Sequence, residues 1–299
     1  MTAGPARVGD RRRARPLHYA MTGPTLGLLL AFLVLPAVYV GWLSLNASTY
    51  GQDARWVGFE NYAKLGADPI FWRAFWNTFF VVNGIVYAEL LLGLGLAALL
   101  SGPLPAKGLI IAVILAPYAI TESSGIVMWR YMVEPDVGLV SQWIARLGLP
   151  ALDWSTRPVQ TLFLASVIAV WHHLPFTFLI LYSALTTVPK DVLEAAEIDG
   201  ASRWQAFTRV TLRLIMPAIL IAVLFRYIYA IRTFAEVWLL TEGGPARLSE
   251  VLAIYLYREM FKYHEFGMAS ATGFVMLAMS LAIAMPYLMR MTREAKHDA

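Results

Sequence analysis

Several ionisable side chains lie inside long apolar stretches of this chain. They are arginines and glutamates, which can bind a polar solute or form ion pairs in an apolar medium. Arg226, Arg232 and Glu236 share one stretch, and Glu89 and Glu122 lie in two others. A charge at the centre of a bilayer costs about 2.5–3.5 kcal/mol, so each group should face protein or water. These residues therefore predict either a polar path or buried contacts inside a membrane protein.

The stretch around Arg226 has a helical pattern. At 100° per residue, one stripe carries the polar residues Arg226, Tyr229, Thr233 and Glu236. Arg232 lies at its edge and has the i,i+4 spacing of an ion pair with Glu236. The sector either faces a translocation path or pairs with carboxylates across a subunit interface, and Glu89 is a candidate interhelix partner for Arg226.

Two further groups are candidates for the same path. Pro117 can open a kink that frees backbone groups beside Tyr118 and Glu122. His172 and His173 are adjacent, so they point about 100° apart and lack the i,i+4 spacing of helical metal ligands. We expect no metal site, and we take His173 as a candidate contact of solute or partner.

The sequence lacks recognisable catalytic and nucleotide-binding motifs. It has no Gly-x-x-x-x-Gly-Lys-Ser/Thr run and no Gly-x-Ser-x-Gly. The absence of cysteine excludes disulfides, thiolate metal sites and cysteine nucleophiles. We therefore expect no catalytic residues, no cofactor in this chain, and a transport subunit rather than an enzyme. An integral-membrane transferase is the alternative from another class.

Composition predicts the medium in which these residues must be positioned. Of 299 residues, 59% are hydrophobic and 15% are charged, against about 25% charged in soluble domains. The net charge of +4 is dispersed, which excludes nucleic acid as a partner. Continuous apolar runs of about 20 residues indicate membrane-spanning helices. They are Thr25–Leu45, Asn77–Leu100, Gly108–Met128, Thr161–Leu185, Leu214–Trp238 and Ala269–Met289. The predicted fold is all-α and polytopic, with six transmembrane helices.

The distribution of Lys and Arg predicts the topology. The N-terminal tail, loops 101–107 and 186–213 and the C-terminal tail carry 13 of the 24 basic residues, and the longer opposite loops carry nine. The positive-inside rule places both termini in the cytoplasm of a multi-pass inner or plasma membrane protein. The first stretch is too long for a signal-peptide core, so we expect it to remain uncleaved. The predicted parts are a tail 1–20, a transmembrane domain 21–290 and a tail 291–299.

The loop 186–213 predicts two short helices joined by a sharp turn. Pro189 suits the start of the first helix, and Gly200 suits its left-handed end. Ser202 and Gln205 form a capping box for the second helix. Periodicity alone favours an ordinary connector between two spans.

The same loop resembles the EAA loop of ABC-importer permeases. The matching residues are Glu194, Ala195, Ala196, Asp199, Gly200 and Ala201, followed by Phe207 and Pro217. The resemblance implies a type I permease fold whose first loop helix is a coupling helix docked on an ATPase. It implies that Glu194 pairs with a basic group there, that the alanines allow close packing and that Gly200 sets the elbow. Arg213 stands where the family often has proline, so we expect a less kinked start to the fifth span.

Three further segments resemble carbohydrate-type permeases, members of the binding-protein-dependent transport system inner membrane components. They are Gly58–Tyr62 with Phe71–Thr78, Leu240–Pro245, and Phe261 with Gly267–Ala271. The resemblance implies transport of an oligosaccharide, polyol or glycerol-phosphate type of solute. It also implies three partners: a second, different permease subunit, an ATPase dimer that binds ATP and Mg, and an extracytoplasmic solute-binding protein. A permease of another branch, for amino acids, metals or phosphate, is the alternative.

Overall fold

The computed structural model describes residues 14–135, 137–150 and 152–297. The arginine cluster Arg11–Arg13 of the predicted N-terminal tail lies outside these residues. The helices are α1 (Ala14–Ser44), α2 (Glu60–Ala67), α3 (Pro69–Ser101), α4 (Lys107–Leu115), α5 (Glu122–Met132), α6 (Leu139–Arg146), α7 (Pro158–Thr186), α8 (Lys190–Ile198), α9 (Arg203–Leu214, π-helical over Ala206–Thr211), α10 (Met216–Ala230), α11 (Ala235–Thr241), α12 (Leu252–Tyr257) and α13 (Phe266–His297). A short antiparallel pair joins β1 (Asn46–Ala47) to β2 (Arg55–Trp56).

The all-α prediction is confirmed. In the described residues, four helices are long and apolar enough to cross a membrane: α1, α3, α7 and α13. The other two predicted spans are bent pairs, with 101° between α4 and α5 and 66° between α9 and α10. The count is six only if each bent pair is one span.

The third predicted span, Gly108–Met128, is wrong as a single helix. A 3₁₀ turn at Ala116–Ala119 follows α4, and Ile120 and Thr121 are then extended, with ψ of 137° and 144°. Pro117 lies in this turn and has no N–H to donate to a preceding helical carbonyl. The chain therefore leaves α4, turns, and starts α5 in a new direction.

The fifth predicted span, Leu214–Trp238, is wrong at both ends. Ile215, with ψ of 4°, separates α9 from α10, so a 66° bend lies directly after Arg213, at the start of this span. Pro217 lies in the first turn of α10, where its missing N–H costs no helical hydrogen bond. At the other end α10 stops at Ala230, and Ile231–Phe234 forms a turn before α11. The apolar run conceals these breaks because hydropathy does not record backbone conformation.

Small residues allow α3 and α7 to pack closely. A Cβ added to Gly93 would lie 3.1 Å from Cγ2 of Thr177. Ala97 and Phe178, from the two helices, are both fully buried in the same cluster. By contrast, α1 lies at the side of the bundle, where Phe32 is 80% exposed. Such an apolar face suits lipid or another subunit.

Asn61 joins the end of α1 to α2. Its buried Nδ2 donates to the carbonyl oxygens of Ser44 at 2.8 Å and Asn46 at 2.9 Å. The last carbonyls of a helix have no partner within that helix, so this one side chain satisfies a helix end and fixes the following turn. Gly267, at the start of α13, packs directly against the same group.

Asn77 and Thr78 tie α3 to the long loop before α12. Asn77 Nδ2 donates to the carbonyl oxygens of Leu248 at 2.9 Å and Glu250 at 2.8 Å. Thr78 Oγ1 accepts from the backbone N–H of Leu252 at 2.8 Å. Two adjacent polar side chains thus replace the strand or helix partners that this buried loop backbone lacks.

Replacing Gly267 with Ala should destabilise the protein. The new methyl would collide with the carbonyl oxygen of Asn46 and approach Nδ2 of Asn61 to 2.9 Å. Overpacking of this kind costs about 1–3 kcal/mol. Thermal unfolding of the detergent-purified protein, followed by tryptophan fluorescence, should show a lowered Tm. Gly66→Ala is the matched control because its added Cβ meets nothing within 4 Å; equal Tm values for both variants would contradict the proposed contact.

Candidate functional site

A buried ion pair joins α3 to α10. Arg226 donates through Nη2 to Oε1 of Glu89 at 2.7 Å and through Nε to the second carboxylate oxygen. Glu89 is fully buried and Arg226 is 4% exposed. A bidentate contact of this type gives each charge a partner without water. The predicted interhelix partnership of the two residues is therefore present in the structure.

A cavity of about 250 Å³ lies beside this pair. Its polar wall is formed by Glu122, His173, Arg226, Tyr229, Arg232, Thr233 and Glu236. A second cavity of about 320 Å³ shares three of these residues and adds Tyr118, His172 and Phe176. Every predicted path residue lines one of the two cavities except Glu89, which stands behind Arg226.

These residues are brought together by the turn at the end of α10. They do not lie on the single helical stripe that the sequence predicts. Thr233 donates its N–H at 3.0 Å and its hydroxyl at 2.6 Å to the carbonyl oxygen of Ala230, which closes the turn. The chain then starts α11, with Glu236 in its first turn. The residues of the predicted stripe line one cavity, although the helix that the prediction assumed ends at Ala230.

The predicted Arg232–Glu236 ion pair is wrong. In the described residues the guanidinium of Arg232 lies 5.2 Å from the ring centroid of Tyr229, and no carboxylate comes within 4.0 Å of it. The i,i+4 geometry requires a continuous helix from 232 to 236, which the turn interrupts. Arg232 is consequently an exposed cation on the cavity wall.

Sequence reasoning missed two residues near the site. Asn83 of α3 accepts a hydrogen bond from the hydroxyl of Tyr227 at 2.7 Å, which gives α3 and α10 a second polar contact. Phe176 of α7 lines the second cavity. An asparagine in a transmembrane stretch is a signal that could have found Asn83, whereas Phe176 is indistinguishable from the apolar residues around it.

The predicted two-helix loop is confirmed in its local geometry. Gly200 has φ of +81°, and the N–H groups of Gly200 and Ala201 donate to the carbonyl oxygens of Glu197 and Ala196, each at 3.0 Å. These are the two hydrogen bonds of a Schellman C-cap. Ser202 and Gln205 then form both hydrogen bonds of the capping box that starts α9.

The first helix of this loop, α8, presents its side chains to the surroundings. The residues singled out in the sequence are Glu194, Ala195, Ala196, Asp199, Gly200 and Ala201, and none of them is buried. Ile198 is 86% exposed, and Trp204 beyond the elbow is 73% exposed. Exposed apolar and aromatic side chains beside such a helix are typical of a docking site for another protein.

Residues 24–291 match the family model described as binding-protein-dependent transport system inner membrane component. The chain belongs to this family. It is therefore the permease subunit of an ABC-type importer, a multi-pass membrane protein and not an enzyme. A permease of the sulfoquinovosyl glycerol transport system of Agrobacterium fabrum is 32% identical over 94% of this chain and 91% of that protein. The trehalose/maltose permease MalF of Thermococcus litoralis is 30% identical over 92% and 94%.

A solved structure shows the same fold. The chain resembles a component of a bacterial alginate ABC transporter, crystallised with an alginate-bound periplasmic protein, at a TM-score of 0.79 and 21% identity. The similarity covers 94% of this chain and 96% of the other. The type I permease fold expected from the loop is thus confirmed.

Glu89→Gln should destabilise the importer subunit strongly, because it leaves the buried guanidinium of Arg226 with a neutral partner. Breaking one side of a buried ion pair costs about 3–5 kcal/mol. The thermal midpoint of the purified protein should fall accordingly. The matched variant Glu89→Gln/Arg226→Gln removes both charges and should recover part of the loss. The paired role would be contradicted if the double variant lost at least as much free energy of unfolding as the two single variants lose together.

Proposed function

We propose that this permease moves a sugar or sugar-like solute into the cytoplasm, driven by ATP hydrolysis on a separate subunit. The solute is of the oligosaccharide, polyol or glycerol-phosphate class. The observation that supports this proposal is that one chain of this family has both the capped two-helix loop and a polar cavity lined by α5, α7, α10 and α11. The carbohydrate-type names of the relatives support the solute class.

The proposed orientation puts the loop 186–213 and both termini in the cytoplasm. The positive-inside rule supports it, since the loop and the tails are the basic segments. The loop is then on the side where an ATPase dimer with its ATP and Mg can dock on α8. The long opposite segments, such as the loop held by Asn77, face the binding protein.

The route from the docking helix to the cavity is short along the chain. A displacement of α8 reaches α9 through the elbow at Gly200. From α9 it reaches α10 across the 66° bend at Ile215. Helix α10 carries Arg226 to the cavity wall. Closure of the ATPase would therefore move α10 together with α3, to which the Glu89–Arg226 ion pair joins it, and so displace the cavity wall that carries Arg226.

A second, different permease subunit completes the proposed path. The two cavities, of about 250 and 320 Å³, lie just below and at the lower end of the range of about 300–1,000 Å³ that is usual for pockets that hold small molecules. A partner facing them would enlarge and enclose the path. This chain resembles the first of the two subunits in such pairs.

Gly200→Val should uncouple the importer without preventing its assembly. A Cβ at Gly200 meets nothing within 4 Å, so the cost comes from the backbone, where a β-branched residue disfavours positive φ. Binding-protein-stimulated ATPase activity of the reconstituted complex should fall about tenfold, in line with a penalty of roughly 1–2 kcal/mol at the elbow.

Gly200→Asn is the matched control, because asparagine tolerates the left-handed conformation. It should retain most of the stimulation despite its larger side chain. Full stimulation by Gly200→Val, or equal loss in both variants, would rule out the elbow as the coupling element.

A further inference from the structure

Glu236 is a buried carboxylate with an unused oxygen on the cavity wall. The residue is 3% exposed, and its Oε2 has no hydrogen-bond partner within the described part of the chain. It lines the 250 Å³ cavity together with Thr233 and Arg226. Buried polar atoms in proteins are nearly always paired, so an unpaired one beside a cavity points to a ligand.

The charges around the cavity do not favour an anion. Arg226 is engaged by both oxygens of Glu89. Arg232 is the other arginine on the described wall. The same wall carries two carboxylates, Glu122 and Glu236, and neither forms an ion pair within the described residues. Free carboxylate thus exceeds free guanidinium on this half of the path, and like charges at short range repel in a medium of low dielectric constant.

The adjoining cavity supplies the complementary apolar surface. Tyr118, Phe176 and Tyr229 line it, and it shares His173, Arg226 and Tyr229 with the first cavity. Aromatic faces beside a hydrogen-bonding wall suit a solute with C–H faces and a rim of hydroxyl groups. A carboxylate accepts hydrogen bonds and donates none when ionised, so hydroxyl groups are the solute donors that it recognises.

We propose that Glu236 accepts hydrogen bonds from the hydroxyl groups of an uncharged, polyhydroxylated solute, and that this wall selects against anionic solutes. The inference rests on the proposed sugar import and narrows it. The relatives do not decide between these classes, since one is named for a sulfonated glycoside and another for trehalose and maltose.

The test measures direct binding and uptake with the complete importer. Equilibrium dialysis on the complex in nanodiscs, without binding protein, uses labelled trehalose and maltose as neutral probes. Sulfoquinovosyl glycerol and sn-glycerol-3-phosphate serve as anionic probes. Uptake of the same four probes is measured in proteoliposomes with the binding protein. The variants are Glu236→Gln and, as a matched control, Glu242→Gln, an exposed carboxylate outside both cavities.

We expect a neutral probe to bind at least tenfold more tightly than either anion. Glu236→Gln should weaken binding of that neutral probe about tenfold and reduce the discrimination against anions, whereas Glu242→Gln should change neither. Preferential binding or uptake of an anion, or wild-type behaviour of Glu236→Gln, would overturn the inference and leave sugar import standing. If none of the four probes binds or is carried, the proposed sugar function fails, and the inference fails with it.

Discussion

The ion pair between Glu89 and Arg226 is the contact on which the arrangement of this permease depends. Burying two charges in an apolar bundle carries a large desolvation free energy, which is offset only when the two charges form a well-aligned ion pair. Their bidentate contact fixes both the rotation and the depth of α10 relative to α3. The turn that follows α10 is placed by the same contact. The cavity is therefore a consequence of a charge constraint, and its wall cannot move far without carrying this pair with it.

A second constraint operates at the far end of the bundle. There the chain forms long connections with little regular structure, and their buried backbone groups need partners. Asn61 of α2 and the adjacent Asn77 and Thr78 of α3 provide these partners. The segments that resembled carbohydrate-type permeases in sequence thus contain residues that hold loops in place. Part of their recognisable spacing therefore reflects the hydrogen bonding that holds these loops in place.

Some structural elements could be predicted from the sequence and others could not, for physical reasons. Hydropathy located the four unbroken spans, and cap chemistry located the elbow at Gly200, because both depend on local residue types. The breaks at Ile120 and Ile231–Phe234 were not predictable from an apolar run, since either conformation buries the same side chains. The Glu89–Arg226 pair could be suggested because few charges lie within the spans. The absence of an ion pair between Arg232 and Glu236 could not be predicted, because it follows from a turn that hydropathy does not show.

The helix α8 contributes no buried residue to its own chain. Its sequence is therefore released from the packing demands that restrict α3 or α7 and answers chiefly to whatever surface it meets. With the ATPase docked on α8 as proposed, substitutions there would alter the choice of ATPase with little effect on the stability of the membrane bundle. A permease built in this way could then acquire a different ATPase over evolutionary time while its transport path is conserved, and the path could diversify while the ATPase is kept.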